Sequence, residues 1–267
     1  MNPHIHLPRV PVLQGRREVV LSLCRGKRVL HLGCVDAGPF FRERLSRGEL
    51  MHQHIAAVAG DLWGVDIDSE GISLLRERGF SKLVVADACE ADTIDALSSQ
   101  PFDVIVAAEI IEHLPNPGLF LAAVRRLMTP GNTQVIITVP NAFRTVSWLW
   151  LMRGVEFVHP DHNYWFSYAT ATHLVRQSGL EIQNTYVYSL QPSGLFSRAR
   201  ERPGRGSTDP GGVSSKDIPS PSGDSASAGK RILHYLRTFP RRVLFSSLYR
   251  INPFFADGIV IVARVVA

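Results

Sequence analysis

Two apolar segments joined by a glycine-bearing turn constrain the fold of this chain more than any other feature. Arg28–Val35 and Leu62–Ile67 each have the composition of a buried strand, with a predicted helix between them. Gly33 and Gly38 let the backbone of the turn approach a ligand closely. Asp66, at the end of the second strand, offers oxygens to both hydroxyls of a ribose. Because ligands bind at the carboxyl ends of parallel strands, the arrangement predicts a site for a nucleoside-bearing ligand.

The glycine spacing restricts the kind of nucleoside. Four residues separate Gly33 from Gly38, so the segment lacks the G-x-G-x-x-G fingerprint that holds a pyrophosphate at a helix N-terminus. A P-loop sequence, G-x-x-x-x-G-K followed by Ser or Thr, does not occur either. A nucleoside that carries no polyphosphate is therefore the favoured ligand.

Short apolar runs continue along the chain, and helical patterns fill the intervals between them, which predicts βαβ units and a parallel sheet. One helix follows the fourth strand, because Asn116 can cap it and Pro117 suits its first turn. A later helix is predicted from Tyr168 to Ser178, with Ser167 as its cap. The other predicted strands are Lys82–Ala86, Phe102–Ala107, Thr133–Val139, Glu181–Tyr188 and Gly258–Val266.

The glycine-bearing segment, residues 29–38, resembles the first motif of the class I S-adenosylmethionine (SAM)-dependent methyltransferases, including the type 11 and type 23 families. In that family the first motif has the form V-L-D-L-G-C-G-x-G. Residues 29–38 of this chain follow it but depart at His31, Val35 and Ala37. These departures leave the cofactor contacts of the loop open.

Three later motifs resemble the same family in order: residues 64–66 at the ribose-binding strand end, 85–88 at the adenine-contacting turn, and 102–115 beside the transferred methyl group. The resemblance implies one Rossmann-like, doubly wound α/β domain. Its seven-stranded sheet is expected to be mostly parallel with an antiparallel last strand. The implied cofactor is SAM. The cofactor-binding residues carried over by position are Gly33, Cys34, Gly38, Asp66, Ile67, Asp87, Ala88 and Glu109.

Acidic and imidazole side chains follow the fourth predicted strand. Glu109, Glu112 and His113 share a face if that turn is helical, and His162 lies in the loop after the fifth strand. This set resembles the magnesium ligands of the small-RNA 3′-end 2′-O-methyltransferases, and carboxylates and imidazoles suit a divalent ion. Without a metal, His113 or His162 is the candidate general base, because imidazole titrates near neutral pH. His159 is a weaker candidate, and both interpretations remain open.

Residues 141–167 are rich in aromatic side chains and are predicted to form a cap on the acceptor side of the domain. We expect Trp148 and Trp150 to pack within this cap. Tyr164 and Trp165 present faces that suit a sugar ring or a planar acceptor, and packing is the equal alternative for both.

An insertion, residues 191–257, separates the last two predicted strands. From Pro203 to Gly229, 17 of 27 residues are Gly, Pro or Ser, which predicts disorder. Lys230–Arg250 is basic with interleaved apolar residues, and its candidate roles are packing, covering the active site or peripheral membrane contact. The net charge of +5 is concentrated in this region, which favours anionic partners or a solvated basic face.

Composition bounds the class of protein. A chain of 267 residues with 45% hydrophobic residues is expected to bury one substantial core. Three cysteines without metal-binding spacing indicate reduced thiols, and with the apparent lack of a signal core they predict a cytoplasmic protein. No uncharged apolar run approaches the roughly 20 residues that span a bilayer.

The sequence therefore predicts a SAM-dependent methyltransferase. We expect O-methylation of a small-molecule or carrier-linked hydroxyl, with a glycan or natural product as acceptor. One alternative is RNA ribose 2′-O-methylation, which is less favoured because the sequence has no recognisable RNA-binding module. Another is a catalytically inactive scaffold, which the altered first motif motivates. Neither the acceptor nor the oligomeric state can be read from the sequence.

Overall fold

The computed structural model describes residues 4–36, 38, 40–190, 245 and 247–266. The segment expected to be disordered, Pro203–Gly229, and most of the basic segment Lys230–Arg250 lie outside the described residues. The described residues form one sheet. Its strands in chain order are β1 (Val12–Gln14), β2 (Arg28–Leu32), β3 (Asp61–Asp66), β4 (Leu83–Val85), β5 (Val104–Ala108), β6 (Gln134–Pro140), β7 (Glu181–Ser189) and β8 (Gly258–Arg264).

The strand order is β1-β7-β8-β6-β5-β2-β3-β4. The last strand, β8, runs antiparallel to both of its neighbours, β6 and β7, whereas the other pairs are parallel. The predicted Rossmann-like architecture with an antiparallel last strand is confirmed. The predicted count of seven strands is corrected to eight, because Val12–Gln14 adds an edge strand beside β7. Three residues next to Pro11 are too short a run to show a strand periodicity.

Helices cover both faces of the sheet. One face carries α1 (Arg17–Cys24) and α3 (Met51–Ala56), and Val29 of β2 points to it. The opposite face carries α5 (Ala91–Ser98), α6 (Pro117–Arg126) and α8 (Tyr168–Gln177). Leu30 and Leu32 point to it because side chains alternate along a strand. The described residues also include α2 (Phe41–Arg47), α4 (Ser69–Glu77), α7 (Thr145–Leu151), a helical segment at residues 247–251 and a 3₁₀ turn at Pro253–Phe255.

The predicted helix caps are confirmed. The Asn116 side chain accepts a hydrogen bond from the backbone N–H of Leu119 at 3.1 Å, and Ser167 Oγ accepts one from the N–H of Thr170 at 3.2 Å. Each bond satisfies one of the unpaired donors of a first helical turn. Within the described residues, no helix is long and apolar enough to cross a membrane.

Candidate active site

The glycine turn after β2 is held against the neighbouring strand. Gly33 has a φ of 67°, a left-handed conformation that favours glycine. The N–H groups of Gly33 and Cys34 both donate to the carbonyl of Val65, at 2.9 and 3.2 Å. A Cβ at Gly33 would lie 3.0 Å from Ile110 Cδ1, so the turn also packs on the loop that follows β5. This contact brings two of the predicted motifs together at the carboxyl edge.

Asp66 fixes the shape of the turn. Its carboxylate accepts the backbone N–H of Val35 at 2.7 Å and that of Asp68 at 3.0 Å. An ionised carboxylate has about four lone-pair positions, so two remain for a ribose. Burial raises the pKa of Asp66, and the two backbone N–H groups oppose that shift. The carboxylate therefore lies where the sequence predicts the ribose contact.

The departure from the family motif at Val35 is accommodated by a glycine elsewhere. A Cβ on Gly71, in α4, would lie 2.3 Å from Val35 Cγ1. The valine side chain thus fills space that only a glycine at position 71 leaves open. Ala37, another of the three departures, lies outside the described residues.

The residues after β3 and β4, where the sequence predicts the adenine contacts, include one large exposed apolar side chain. Ile67 is 73% exposed, so its side chain is free to cover a planar base. Asp87 accepts the N–H of Cys89 at 2.8 Å, and Ala88 is buried beside it. A cleft of about 260 Å³ opens near the first motif. Its lining residues are Gly38, Phe41, Arg42, Asp68, Glu70, Gly71 and Leu74.

Glu109 lies at the end of β5 in a charged cluster that the sequence did not predict. Its backbone has a φ of 55°, an uncommon conformation for a residue with a side chain. Its carboxylate accepts Tyr188 Oη–H at 2.8 Å and Thr138 Oγ1–H at 3.0 Å, and it lies 3.9 Å from the Arg16 guanidinium. Tyr188 could have been found, because it ends a predicted strand at this same edge. Arg16 could not, because it follows the missed strand β1.

Glu112 lies close to this cluster but makes no hydrogen bond from its side chain. The residue is 1% exposed, and both of its carboxylate oxygens are buried without a hydrogen-bond partner. Burial, and secondarily the charge of Glu109, raise the pKa of Glu112 to about 8. A neutral carboxylic acid at this position is consistent with the large cost of burying an unpaired charge.

The loop after β6 is tied to the loop after β5. The N–H groups of Asn163 and Tyr164 donate to the carbonyl of Glu112 at 2.8 and 3.3 Å. The Asn163 amide donates to the carbonyl of His113 at 2.7 Å, and Tyr164 Oη–H donates to that of Pro115 at 2.9 Å. Four hydrogen bonds therefore fix the segment that carries His162 against the segment that carries His113. Tyr164 therefore makes a packing contact within the protein, which is one of the two roles that the sequence left open for it.

Three imidazoles meet as a result. The ring centroids of His113 and His162 are 4.6 Å apart, and His159 lies 5.8 Å from His113 and 5.4 Å from His162. Burial, followed by the charges of His113 and His159, lowers the pKa of His162 to about 4. Among the described residues these three form the one group of His, Cys, Asp or Glu close enough to share an ion, with ligand atoms within 4.8 Å of one another.

The structure thus divides the predicted metal set. His113 and His162 come together, with His159, which the sequence ranked lower. Glu109 and Glu112 are not members of this group: Glu109 pairs with Arg16, and Glu112 is buried close to that pair without a hydrogen-bond partner. The sequence signal for His159 was its place three residues before His162 in the same loop.

His31, the departure at the acidic position of the first motif, has a buried partner. Its Nδ1 lies 3.2 Å from Nδ1 of His52 on α3, and the two rings stack. Phe80 meets the ring of His52 edge-on at 5.0 Å. A second imidazole therefore provides the polar contact of a side chain that is 2% exposed.

The cap segment is organised around Arg144. Its guanidinium lies 5.1 Å from the ring centroid of Phe157 and 5.6 Å from that of Trp165, and it donates to the carbonyl of Phe157. Trp148 and Trp150 are 48% and 42% exposed. The expectation that both tryptophans pack within the cap is therefore only partly met, although Trp150 stacks on Phe157.

A doubly wound sheet with a glycine turn, a carboxylate at the end of β3 and an acidic residue after β5 is the arrangement expected of a SAM-dependent methyltransferase. The family model described as "Methyltransferase domain" matches residues 12–185, so the chain belongs to that family. Two similar curated proteins are ubiquinone biosynthesis O-methyltransferases. The protein of Aromatoleum aromaticum is 24% identical over 62% of this chain and 69% of its own length. That of Paraburkholderia phymatum is 27% identical over 50% of this chain and 52% of its own.

Solved structures agree with the fold. A SAM-dependent methyltransferase from Thermotoga maritima has a TM-score of 0.52 at 14% identity, covering 93% of this chain and 86% of its own. The small RNA methyltransferase HEN1 has a TM-score of 0.52 at 14% identity, covering 93% of this chain and 24% of its own. The [4+2]-cyclase SpnF has a TM-score of 0.50 at 14% identity, covering 94% of this chain and 80% of its own. At these identities the likeness shows the fold alone, and the cyclase illustrates that this fold hosts different reactions.

Proposed function

We propose that this methyltransferase transfers a methyl group to a hydroxyl oxygen of a small-molecule or carrier-linked acceptor. The observation that carries the proposal is the imidazole cluster at the carboxyl edge, built from the loops after β5 and β6. A hydroxyl is a poor nucleophile until its proton is removed, so a positioned base is more useful for oxygen than for an amine. The names of the curated relatives, which are O-methyltransferases, support oxygen as the acceptor atom.

Each part of the site has a role in this reaction. Asp66 and the turn at Gly33 orient the nucleoside half of SAM, and bound SAM supplies an electrophilic methyl group on a sulfonium. His113 or His162 accepts the proton of the acceptor hydroxyl. The oxygen forms a bond to the methyl carbon, the carbon–sulfur bond breaks, and its electron pair stays on sulfur in S-adenosylhomocysteine. The protein then contributes mainly alignment and exclusion of water.

The acceptor class is supported by aromatic side chains of the cap segment. Phe143 is 51% exposed, and Trp165 lies against the Arg144 guanidinium, so each places an apolar face in the segment that follows β6. Such faces suit a sugar ring or a planar natural product, and a glycan or natural-product hydroxyl is the acceptor that we propose. The free thiols of Cys24, Cys34 and Cys89 support a reducing, cytoplasmic setting.

Calorimetric titration of S-adenosylhomocysteine into the purified chain tests the cofactor site. We expect micromolar affinity, about −8 kcal/mol, that is lost in Asp66→Ala. Absence of binding would reject the enzyme and favour the inactive scaffold.

Labelled methyl transfer to a panel of sugars, phenols and amines then tests the acceptor atom, with RNA included as the alternative substrate. General-base removal typically costs 10²- to 10⁴-fold in rate. We therefore expect His113→Gln or His162→Gln to lose turnover while keeping affinity for S-adenosylhomocysteine. His173→Gln, an exposed histidine on α8, is the matched control. Methyl transfer to amines alone would contradict O-methylation, and transfer to RNA alone would favour the alternative.

A further inference from the structure

The imidazole cluster has the composition of a transition-metal site. Imidazole nitrogens suit zinc, copper, nickel and cobalt, whereas magnesium prefers carboxylate and water oxygens in an octahedral arrangement. A magnesium site of the Glu-x-x-Glu-His kind would need both carboxylates beside the histidines. In this chain Glu109 is held by Arg16, Tyr188 and Thr138. The donor set at the cluster therefore does not fit the magnesium site that the sequence resembles.

The third imidazole is positioned for this role. His159 lies on the same loop as His162, and its side chain is 55% exposed, so an ion can reach it from solvent. The Asp161 backbone N–H donates to His159 Nδ1 at 3.3 Å, and a carboxylate oxygen of Asp161 lies 3.7 Å from the same nitrogen. Ligation through Nε2 requires the other tautomer, in which Nδ1–H faces the Asp161 carboxylate. That arrangement is a common outer-sphere contact of ligating histidines.

The distances allow closure around an ion. In a tetrahedral site with bonds of 2.0–2.1 Å, ligand nitrogens are about 3.4 Å apart. The ligand atoms here lie within 4.8 Å of one another, so an approach of at most about 1.4 Å completes the set. His113 and His162 are already fixed to each other by the hydrogen bonds of Asn163 and Tyr164, so the exposed ring of His159 supplies most of this movement.

We propose that His113, His159 and His162 form a three-imidazole site for a zinc-like divalent transition metal. Three protein ligands leave a fourth position open, which is the arrangement of catalytic rather than structural zinc sites. The fourth ligand would be the acceptor hydroxyl, and the metal would then lower the pKa of that hydroxyl in place of a free imidazole base. That last assignment rests on the proposed function, whereas metal binding itself does not.

Cobalt(II) is the probe, because its visible absorption reports tetrahedral nitrogen coordination. The full chain, free of any histidine tag and treated with chelator, is titrated with cobalt(II) and then with zinc(II) as competitor. We expect one equivalent to bind, and His159→Gln or His162→Gln to weaken binding at least tenfold. Glu112→Gln and the exposed control His173→Gln should retain it. Circular dichroism and S-adenosylhomocysteine titration on each sample show that the variant is folded.

The outcomes separate the two kinds of site. No saturable binding, or equal binding in His159→Gln and the unmodified chain, would overturn the three-imidazole assignment. Loss of binding in Glu112→Gln with retention in His159→Gln would overturn it in favour of the carboxylate set. Metal binding without S-adenosylhomocysteine binding would sustain this site while rejecting the proposed function.

Discussion

The buried pair His31–His52 makes stability depend on pH in a way that can be calculated. Burial lowers the pKa of His52 from 6.5 to about 4. Burial, with the charges of His52 and Arg16, lowers that of His31 well below its ordinary value. Because the folded-state pKa is depressed, the unfolded chain binds the proton more readily than the folded chain. Stability is therefore complete above pH 6.5 and is lost as pH falls from 6.5 towards 4.

The magnitude follows from the two pKa values. For a single group with a pKa of 6.5 unfolded and about 4 folded, the loss between pH 8 and pH 5 is about 2 kcal/mol. Protonation of His31 adds to this loss in the same direction. A change of this size is a large fraction of the stability of an ordinary domain. Urea unfolding at pH 8 and at pH 5 measures it directly.

A matched pair of variants assigns the effect. His52→Phe keeps an aromatic ring against Phe80 and removes one titrating group, so the stability difference between the two pH values should shrink by about 2 kcal/mol. Its stability at pH 8 should also fall, because His31 loses its polar partner. His173→Gln, on the exposed face of α8, should leave the pH difference unchanged. If His52→Phe and His173→Gln show the same pH dependence, the histidine pair is not its cause.

Three further substitutions test packing and capping. Gly258→Ala would place a Cβ 2.2 Å from Tyr188 Cζ, so we expect a loss of about 2–3 kcal/mol in urea unfolding; an unchanged midpoint would contradict this contact. Gly71→Ala should weaken S-adenosylhomocysteine affinity by displacing Val35 and the Asp68 carboxylate. The double variant Val35→Gly/Gly71→Ala should restore part of that affinity, and failure of the rescue would show that the two positions are not coupled. Asn116→Ala should cost about 1 kcal/mol through the lost cap of α6, whereas no change in thermal midpoint would show that the cap contributes nothing.

The sheet could be predicted because its information is local. Apolar runs of strand length with capped helices between them specify βαβ units, and β2, β3, β5 and β6 fall within or near their predicted bounds. The end of β2 lies three residues before its predicted end at Val35, because the left-handed turn at Gly33 stops the strand at Leu32. The edge strand β1 was missed because its three residues pair only through the distant β7.

The candidate site was less accessible to sequence reasoning. The spacing Glu109, Glu112, His113 suggested one helical face carrying a ligand set. Instead, the positive φ of Glu109 turns its side chain to Tyr188 and Arg16, whose positions depend on long-range pairing. The role of His159 depends on hydrogen bonds between two loops, and no spacing rule encodes these.

The pairing of Tyr188 with Gly258 has a consequence for how this family can diversify. The connection between β7 and β8 leaves and re-enters the sheet at adjacent positions on its carboxyl edge. Closing such a connection costs free energy that grows only with the logarithm of its length, roughly 0.6 kcal/mol for each doubling. Long segments can therefore be inserted or exchanged here without disturbing the strands that hold the glycine turn and Asp66. Because this connection lies on the same edge as the candidate site, the surroundings of that site can change separately from those strands.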